Sequence, residues 1–191
     1  MLTNFLLQCI LYLISHFIYR IKVEGRGLVP LKGPALLVSN HVSFIDPILI
    51  SAAIKVPIRF VVFRTYYDLP IFNWFCRFMR YIPISHRDGP KALLRSFEGV
   101  RQALRQGEIL CIFGEGEITR HGQMQGFKKG LERITDGLSI PIIPVHLDRV
   151  WGSIFSFEGG RFFLKRPRRW PYPVTVSFGA PMASGCSAYE V

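Results

Sequence analysis

The stretch Ala35-Leu36-Leu37-Val38-Ser39-Asn40-His41-Val42-Ser43-Phe44-Ile45-Asp46-Pro47 contains a strand-like run, a polar segment and a helix start. Residues 35–39 are a continuous apolar run of the kind that forms a buried strand. Asp46-Pro47 is typical of a helix start, because aspartate caps free N–H groups and proline fits the first helical position. The residues between them are therefore predicted to form a loop that joins a strand to a helix.

His41 lies on this predicted loop, five residues before Asp46. Imidazole has the side-chain pKa closest to neutral pH, and a carboxylate on one ring nitrogen makes the other nitrogen a general base. In a continuous helix, residues five apart would point about 140° apart, whereas a loop lets the ring fold back onto the carboxylate. No serine or cysteine is comparably paired with a base, so the expected nucleophile is a substrate hydroxyl. The alternative is that Asp46 only caps the helix and His41 is an ordinary loop residue.

Strand-like and helical patterns alternate along the rest of the chain. The predicted strands are 35–39, 58–63, 81–84, 108–113, 141–147, 161–165 and 173–178, and the predicted helices are 4–19, 47–54, 70–79, 90–106 and 126–136. This alternation predicts an α/β fold: a single domain with a mixed, largely parallel β-sheet flanked by helices. Ligands bind beyond the carboxyl ends of strands in such sheets, so His41 and Glu115 are expected to share a cleft.

The N-terminal segment is predicted to be an apolar, membrane-associated helix. Residues 1–19 carry no formal charge, but polar residues interrupt the run and no basic region precedes it, so neither a spanning helix nor a secretory signal is expected. A helix that lies in one leaflet fits better, and packing on the domain core is the alternative. The predicted organisation is 1–21 as this helix, 22–185 as the catalytic domain, and 186–191 as a helix start or linker to a missing C-terminal region.

The charge of the chain indicates an anionic partner. Lysine and arginine number 24 against 13 acidic residues, for a formal net charge of +11. A phospholipid surface, a phosphorylated substrate, an acidic carrier protein or nucleic acid would match this charge, and nucleic acid is the least favoured. Five basic residues interleaved with aromatic residues are expected to dock a membrane or a carrier, unless they form only a solvated basic face: Arg161, Lys165, Arg166, Arg168 and Arg169.

A second polar cluster follows the predicted strand 108–113. Gly114 and Gly116 flank Glu115, and glycine permits a tight turn and close approach of the backbone to a ligand. Glu115 is expected to accept a hydrogen bond from a substrate hydroxyl, and Arg120 and Lys128 to hold a phosphate. An ordinary turn with a solvated charge run is the alternative.

These segments together resemble the glycerolipid acyltransferase family, which includes the lysophosphatidic acid acyltransferases. Asn40, His41 and Asp46 match the family's Asn-His-x-x-x-x-Asp block, and Phe113, Glu115 and Gly116 match its Phe-Pro-Glu-Gly block. The proline-containing stretch Ile140-Pro141-Ile142-Ile143-Pro144-Val145 matches a third block. The resemblance covers residues 22 to 180.

The resemblance implies an O-acyltransferase in which His41 is the general base and Asp46 orients it. Asn40, Glu115 and Gly116 would contribute to the substrate site, and backbone N–H groups of the turn 114–116 would face a developing oxyanion. Acyl-ACP or acyl-CoA would serve as co-substrate, with no metal and no further cofactor.

The chain resembles most closely the acyltransferase domain of bifunctional 2-acylglycerophosphoethanolamine acyltransferase/acyl-ACP synthetase proteins. The similar stretches are Gly116–Arg120, Trp151–Phe155 and Tyr172–Gly179. This resemblance implies a lysophosphatidylethanolamine acceptor, an acyl carrier protein as partner and covalently linked further domains. It also implies a peripheral or monotopic location at the cytoplasmic face of the bacterial inner membrane.

The chain departs from the family pattern at three places. Gly114 replaces a proline, Ile118 occupies a position where many members have a phosphate-binding arginine, and His86 with Arg87 occupies another arginine position. The phosphate ligands expected here are therefore Arg87, Arg120 and Lys128. These shifts favour a lysophospholipid with a head group over lysophosphatidic acid, which is the alternative acceptor.

Two other classes of function remain as alternatives. A non-catalytic, basic, membrane-binding module would bind anionic vesicles and would tolerate a change at His41. A hydrolase would need His41, Asp46 and other groups around a metal ion, but no two of the five histidines have close metal-ligand spacing.

Overall fold

The computed structural model describes residues 12, 16–54, 56–85, 89–160, 165 and 169–191. The strands are β1 (Tyr19–Glu24), β2 (Ala35–Ser39), β3 (Arg59–Phe63), β4 (Ile82–Ile84), β5 (Ile109–Phe113), β6 (Ile142–Asp148) and β7 (Tyr172–Phe178). The helices are α1 (Asp46–Ala53), α2 (Arg64–Tyr67), α3 (Pro70–Phe78), α4 (Pro90–Arg105) and α5 (Gly130–Thr135). Among these residues, no helix is both long and apolar enough to span a bilayer.

The seven strands form one sheet in the order β1-β7-β6-β2-β5-β3-β4. Every neighbouring pair is parallel except β6 with β7, which is antiparallel. The predicted α/β domain with a mixed, largely parallel sheet is therefore confirmed. Long connections with helices are what parallel neighbours require, and they account for the alternation of elements along the chain.

Strand β1 was not among the predicted strands. The N-terminal helix was predicted to extend through residue 21, and that boundary is wrong because residues 19–24 pair in parallel with β7. Tyr19, Ile21 and Val23 are more buried than the charged residues between them, which is the period of two expected of a strand. Most of the predicted helix, including 1–11 and 13–15, lies outside the described residues, as do residues 161–164 of another predicted strand.

Each face of the sheet packs against its own pair of helices. Leu37 and Cys111 belong to one core cluster, together with buried residues of α1 and α3. Leu36 and Leu110, their neighbours in sequence, belong to the other cluster, together with α4 and α5. Because successive side chains of a strand point to opposite faces, strands buried on both faces read as continuous apolar runs, which is how β2 and β5 read in the sequence.

The register of the central strands brings two loops together. Ser39, the last residue of β2, pairs with Phe113, the last residue of β5. His41 and Glu115 therefore both lie two residues beyond one paired position, at the same edge of the sheet. The strands β1 and β7 run opposite to β2. Phe178, the last residue of β7, is level with Ser39 because both pair with Val145, so the first residues of β1 and β7 extend beyond this edge.

The helix predicted over 126–136 begins later, at Gly130. The backbone before it stays non-helical because the Lys128 N–H donates to the Gly114 carbonyl at 2.8 Å. The segment 124–129 is thereby held against the turn that follows β5.

Candidate active site

His41 and Asp46 are in direct contact. His41 Nδ1 lies 2.8 Å from Asp46 Oδ2, and the Asp46 side chain is fully buried. The same carboxylate oxygen accepts the N–H groups of Val42, at 2.7 Å, and Ser43, at 2.9 Å. The other oxygen accepts the Ser43 hydroxyl at 2.8 Å. Buried carboxylates need such partners, and here the partners fix the direction in which Asp46 meets the imidazole.

The contacts of Asp46 differ from those of a helix cap. Asp46 is the first residue of α1, and no side-chain hydrogen bond caps this helix. The carboxylate turns back toward the preceding loop, where it holds His41 and two backbone N–H groups. The geometry therefore favours the orienting role over the reading in which Asp46 only starts a helix.

The backbone and the ring of His41 are held independently of Asp46. Its N–H donates to Glu115 Oε1 at 2.7 Å, and its carbonyl accepts the Thr119 N–H at 2.9 Å. The imidazole stacks on Phe113 with 3.8 Å between ring centroids and 12° between planes. Because Nδ1 faces Asp46, Nε2 is the nitrogen that is placed to act on a substrate, and 15% of the side chain is exposed.

Glu115 links the two loops. Its side chain is 1% exposed. Oε1 accepts the His41 N–H, and Oε2 accepts the Gln125 N–H at 2.8 Å. These contacts point to a positioning role, in contrast to the direct contact with a substrate hydroxyl that was expected from the sequence.

Asn40 is also committed to backbone contacts. Its Nδ2 donates to the Leu147 carbonyl at 3.0 Å, and its Oδ1 accepts the Leu147 N–H at 2.7 Å. The residue is 4% exposed. Asn40 thus joins the end of β2 to β6 and fixes the position of the backbone from which His41 projects. This structural role differs from the substrate contact that the sequence predicts for Asn40.

Two of the expected phosphate ligands are exposed beside these loops. The Arg120 guanidinium lies 3.6 Å above the centre of the Phe157 ring, and that ring lies 5.7 Å from Phe44 on the His41 loop. The Lys128 side chain lies against Gly116, where an added Cβ would stand 3.0 Å from Lys128 Nζ. Gly116 has a φ of +71°, so both the close approach of the Lys128 side chain and the backbone conformation favour glycine there. Arg87 lies outside the described residues.

Gly114 accommodates a ring from the segment that follows. A Cβ at this position would lie 2.5 Å from Phe127, so the ring occupies the space that a proline would need. The N–H groups of Gly114 and Gly116 donate to the carbonyls of Ser39 and Phe113, at 2.9 and 3.0 Å. They are therefore not available for the oxyanion role expected of this turn.

The basic stretch around residue 165 is only partly described. Lys165 Nζ donates to the carbonyl oxygens of Ser156, at 2.6 Å, and Glu158, at 2.9 Å, so its ammonium holds a loop instead of facing outward as expected. Arg169 is exposed. Arg161, Arg166 and Arg168 lie outside the described residues.

The described cysteines are unsuited to nucleophilic chemistry. Burial raises the pKa of the Cys111 thiol, and the nearby Asp46 carboxylate adds to this shift. Burial also raises the pKa of Cys76 and of Cys186. Because the thiolate is the reactive form, these shifts leave a substrate hydroxyl as the expected nucleophile. In the part of the chain that the structure describes, no three His, Cys, Asp or Glu side chains are grouped to hold a metal ion.

Three contributors were not singled out from the sequence: the Ser43 hydroxyl, the Phe113 ring and the Thr119 N–H. Ser43 lies inside the motif loop, three residues before Asp46, and that spacing was a usable signal. Phe113 and Thr119 meet His41 only through the pairing of β2 with β5, which no local pattern reveals.

Comparison with known proteins places this arrangement in a family. Residues 20–148, more than half of the chain, match the family model described as Acyltransferase. The chain belongs to the acyltransferase family. A chloroplastic 1-acyl-sn-glycerol-3-phosphate acyltransferase of Arabidopsis thaliana is 27% identical over 130 residues, which cover 68% of this chain and 36% of that protein. A probable 1-acyl-sn-glycerol-3-phosphate acyltransferase of Mycoplasma pneumoniae is 29% identical over 183 residues, covering 89% and 66%.

The fold of this acyltransferase-family chain also has a solved counterpart. The crystal structure of the 1-acyl-sn-glycerophosphate acyltransferase PlsC from Thermotoga maritima matches with a TM-score of 0.70 and 19% identity, over 93% of this chain and 69% of that one. This likeness establishes the fold. The matched region spans 36% of the length of the Arabidopsis thaliana protein and 66% of the length of the Mycoplasma pneumoniae protein.

Proposed function

We propose that this protein transfers an acyl chain from an acyl thioester to the free hydroxyl of a lysophospholipid. The observation that carries the proposal is the contact between His41 Nδ1 and the buried Asp46 carboxylate, which leaves Nε2 for the substrate. Membership of the acyltransferase family supports the reaction class. The relatives are named for acyl transfer to 1-acyl-sn-glycerol-3-phosphate, which supports a lysophospholipid as acceptor.

The proposed reaction needs no covalent enzyme intermediate. His41 Nε2 accepts the proton of the acceptor hydroxyl as the oxygen attacks the thioester carbonyl. The tetrahedral intermediate collapses with cleavage of the C–S bond, and the departing thiolate takes the proton from the imidazolium. The Asp46 carboxylate stabilises the imidazolium in between. General base catalysis of this kind contributes about 10²- to 10⁴-fold.

Arg120 and Lys128 are the proposed contacts of the acceptor phosphate. Both are exposed, and both lie against the loops that hold His41. Charge-assisted hydrogen bonds from these cations would orient the glycerol hydroxyl toward Nε2. Asn40, Glu115 and Gly116 would act by shaping the loops, and no metal or further cofactor enters the proposed reaction.

Two acceptors are proposed as candidates. Ile118 and the resemblance to bifunctional acyltransferase/acyl-ACP synthetase proteins favour lysophosphatidylethanolamine. The names of the relatives favour 1-acyl-sn-glycerol-3-phosphate. Acyl-ACP and acyl-CoA present the same thioester group, and the net charge of +11 suits an acidic carrier protein as well as CoA.

The proposed setting is a membrane surface, at the cytoplasmic face of the bacterial inner membrane. The acceptor of the proposed reaction is an amphiphile that resides in such a surface, and the charge of the chain suits anionic lipid. Linkage to further domains in a longer protein is part of the same proposal and rests on the bifunctional resemblance alone.

Thiol release by the purified protein tests the proposal. Acyl-ACP and acyl-CoA are each offered with lysophosphatidylethanolamine and with lysophosphatidic acid, beside His41→Ala and the matched control His121→Ala, which changes an exposed histidine. We expect acceptor-dependent release that His121→Ala keeps and His41→Ala loses. A folded His41→Ala protein with near-normal turnover contradicts the mechanism, and vesicle binding without release from any pair of substrates favours the binding module.

A further inference from the structure

The Phe157 ring contacts the Arg120 guanidinium beside the candidate active site. The central carbon of the guanidinium lies 3.6 Å from the centre of the ring, which is the distance of a cation–π contact. Arg120 is exposed and Phe157 is half-buried. Among the described residues, no carboxylate forms an ion pair with Arg120. The ring therefore holds the charge of Arg120 without neutralising it, and that charge stays open to an anionic ligand.

The backbone on both sides of Phe157 is fixed by one ammonium group. Lys165 Nζ donates to the carbonyl oxygen of Ser156, the residue before Phe157, at 2.6 Å. It also donates to the carbonyl oxygen of Glu158, the residue after Phe157, at 2.9 Å. Hydrogen bonds from a charged donor are stronger than those between neutral groups. Lys165 therefore fixes the short stretch of backbone from which the Phe157 ring projects.

The same stretch of backbone is joined to the loop that carries His41. Ser156 is fully buried and forms an antiparallel bridge with Ser43 of this loop. The Phe157 ring also packs against Phe44, with 5.7 Å between ring centroids. Ser43 and Phe44 follow His41 directly along the motif loop. The position of the Phe157 ring is therefore fixed relative to His41.

The backbone of Arg120 does not by itself determine where its charge lies. The N–H of Thr119, the preceding residue, donates to the His41 carbonyl at 2.9 Å, so the arginine begins beside the His41 loop. The side chain is long, and an unrestrained arginine samples many rotamers. Contact with Phe157 narrows this range to conformations in which the guanidinium lies on the ring. An anion bound to the guanidinium is thereby held at a nearly constant distance from His41.

We infer that Phe157 is a positioning residue for acceptor binding: its ring, fixed by the Lys165 ammonium, orients the Arg120 guanidinium toward the acceptor phosphate. The inference rests on the proposed function, because it takes Arg120 as a contact of that phosphate. Neither Phe157 nor Lys165 touches the reacting groups, so their replacement is expected to change the acceptor KM and to leave kcat nearly constant.

Replacing Phe157 with and without loss of the ring tests this role. Phe157→Leu keeps an apolar side chain but removes the ring face, and Phe157→Tyr keeps that face. We expect Phe157→Leu to raise the acceptor KM about three- to fivefold with kcat within twofold, and Phe157→Tyr to keep the original KM. Phe78→Leu, which changes a half-buried phenylalanine at the end of α3, is the matched control. An unchanged KM in Phe157→Leu, or an equal rise in Phe157→Tyr, overturns the inference.

Double-mutant cycles test whether Phe157 acts through Arg120 and whether Lys165 acts through Phe157. In the Arg120→Ala protein, Phe157→Leu should cause no further rise in KM, because the cation that the ring holds is gone. Lys165→Met should raise KM when Phe157 is present and should add nothing to Phe157→Leu. Lys91→Met, which changes an exposed lysine of α4, is the control. Additive effects in the first cycle overturn the inference, and additive effects in the second overturn the role of Lys165.

NMR of the Arg120 side chain tests the contact without catalysis. Protons above the face of an aromatic ring resonate upfield, so the Arg120 side-chain signals, assigned with Arg120→Lys, should be shifted upfield in the unchanged protein. Phe157→Tyr should keep this shift and Phe157→Leu should lose it. Arg120 signals at ordinary positions in the unchanged protein overturn the inference.

Titration with sn-glycerol 3-phosphate separates the inference from the proposed function. The ligand should move the Arg120 signals, and half-saturation should need about three- to fivefold more ligand in Phe157→Leu. Equal binding by the two proteins overturns the positioning role. If the unchanged protein releases no thiol with any substrate, the proposed acyl transfer fails, whereas the titration still decides whether Phe157 positions Arg120 for a phosphate.

Discussion

The candidate site has a buried floor, formed by Asp46 and Glu115, and an exposed rim, formed by Arg120 and Lys128. The two carboxylates are 0% and 1% exposed, and each oxygen accepts a hydrogen bond from the protein. The two cations stay in solvent and rest on Phe157 and on Gly116. Buried, fully bonded groups hold one geometry, whereas long exposed side chains adapt to a ligand. The floor is therefore expected to control the chemical step and the rim to control acceptor binding.

Replacing Asp46 with asparagine should cause the largest loss. The amide keeps the shape but removes the charge that stabilises the imidazolium, and its NH2 group replaces one of the two carboxylate oxygens that accept hydrogen bonds. We expect kcat to fall by about 10³- to 10⁴-fold. Steady-state thiol release measures this, with the exposed Asp136→Asn as control. A decrease in kcat of only a few-fold in a folded Asp46→Asn protein would contradict the orienting role of Asp46.

Glu115→Gln should have the next largest effect. One amide oxygen cannot accept both the His41 and the Gln125 N–H groups, so one buried donor loses its partner. We expect a loss of about 1–3 kcal/mol of unfolding free energy. We also expect kcat to fall by about 10- to 100-fold as His41 shifts.

Urea unfolding and thiol release measure the two effects of Glu115→Gln, with the exposed Glu117→Gln as control. Unchanged stability with a raised acceptor KM would contradict the positioning role and would favour the direct contact between Glu115 and a substrate hydroxyl that the sequence predicts.

Ser43→Ala tests a smaller part of the floor. The hydroxyl donates to Asp46 Oδ1, and its loss leaves that oxygen without this partner. We expect kcat to fall by about tenfold with an unchanged KM, in line with one lost hydrogen bond to a charged group. Ser51→Ala, which removes a hydroxyl bonded to the Pro47 carbonyl in α1, is the matched control. Equal kinetics for the two variants would show that the hydroxyl does not position Asp46.

Arg120→Ala should have the smallest effect on the chemical step. We expect the acceptor KM to rise by about tenfold with kcat within twofold, because the guanidinium binds the phosphate equally in the ground and transition states. The exposed Arg95→Ala on α4 is the control. A fall in kcat with constant KM would contradict this assignment and would show that Arg120 acts on the reacting groups in the transition state.

The features that the sequence predicts are those that depend on residues close together along the chain. The His41–Asp46 contact follows from local order, since a strand, a loop and a helix start bring the two side chains together. The buried stripe of α4, which includes Phe97, Val100 and Leu104, likewise follows from a helical period. Local patterns were therefore sufficient for the central strands, for α4 and for the contact between His41 and Asp46.

The rest depends on contacts between distant segments. Glu115 meets the His41 N–H because Ser39 pairs with Phe113, a register that neither strand contains by itself. Strand β1 escaped prediction because an apolar run precedes Tyr19 and masks the period-two pattern that follows. The filling of the space at Gly114 by Phe127 is likewise a property of the folded chain.

The most direct test of the central claim is a single-turnover reaction followed by rapid quenching and intact-mass measurement. The protein is mixed in excess with acyl thioester, first without acceptor and then with it. If His41 activates the acceptor hydroxyl, thiol and acylated lipid appear together, and no thiol is released and no acylated protein forms when the acceptor is absent. A stoichiometric burst of thiol without acceptor, together with a protein mass increased by one acyl chain, would contradict the account.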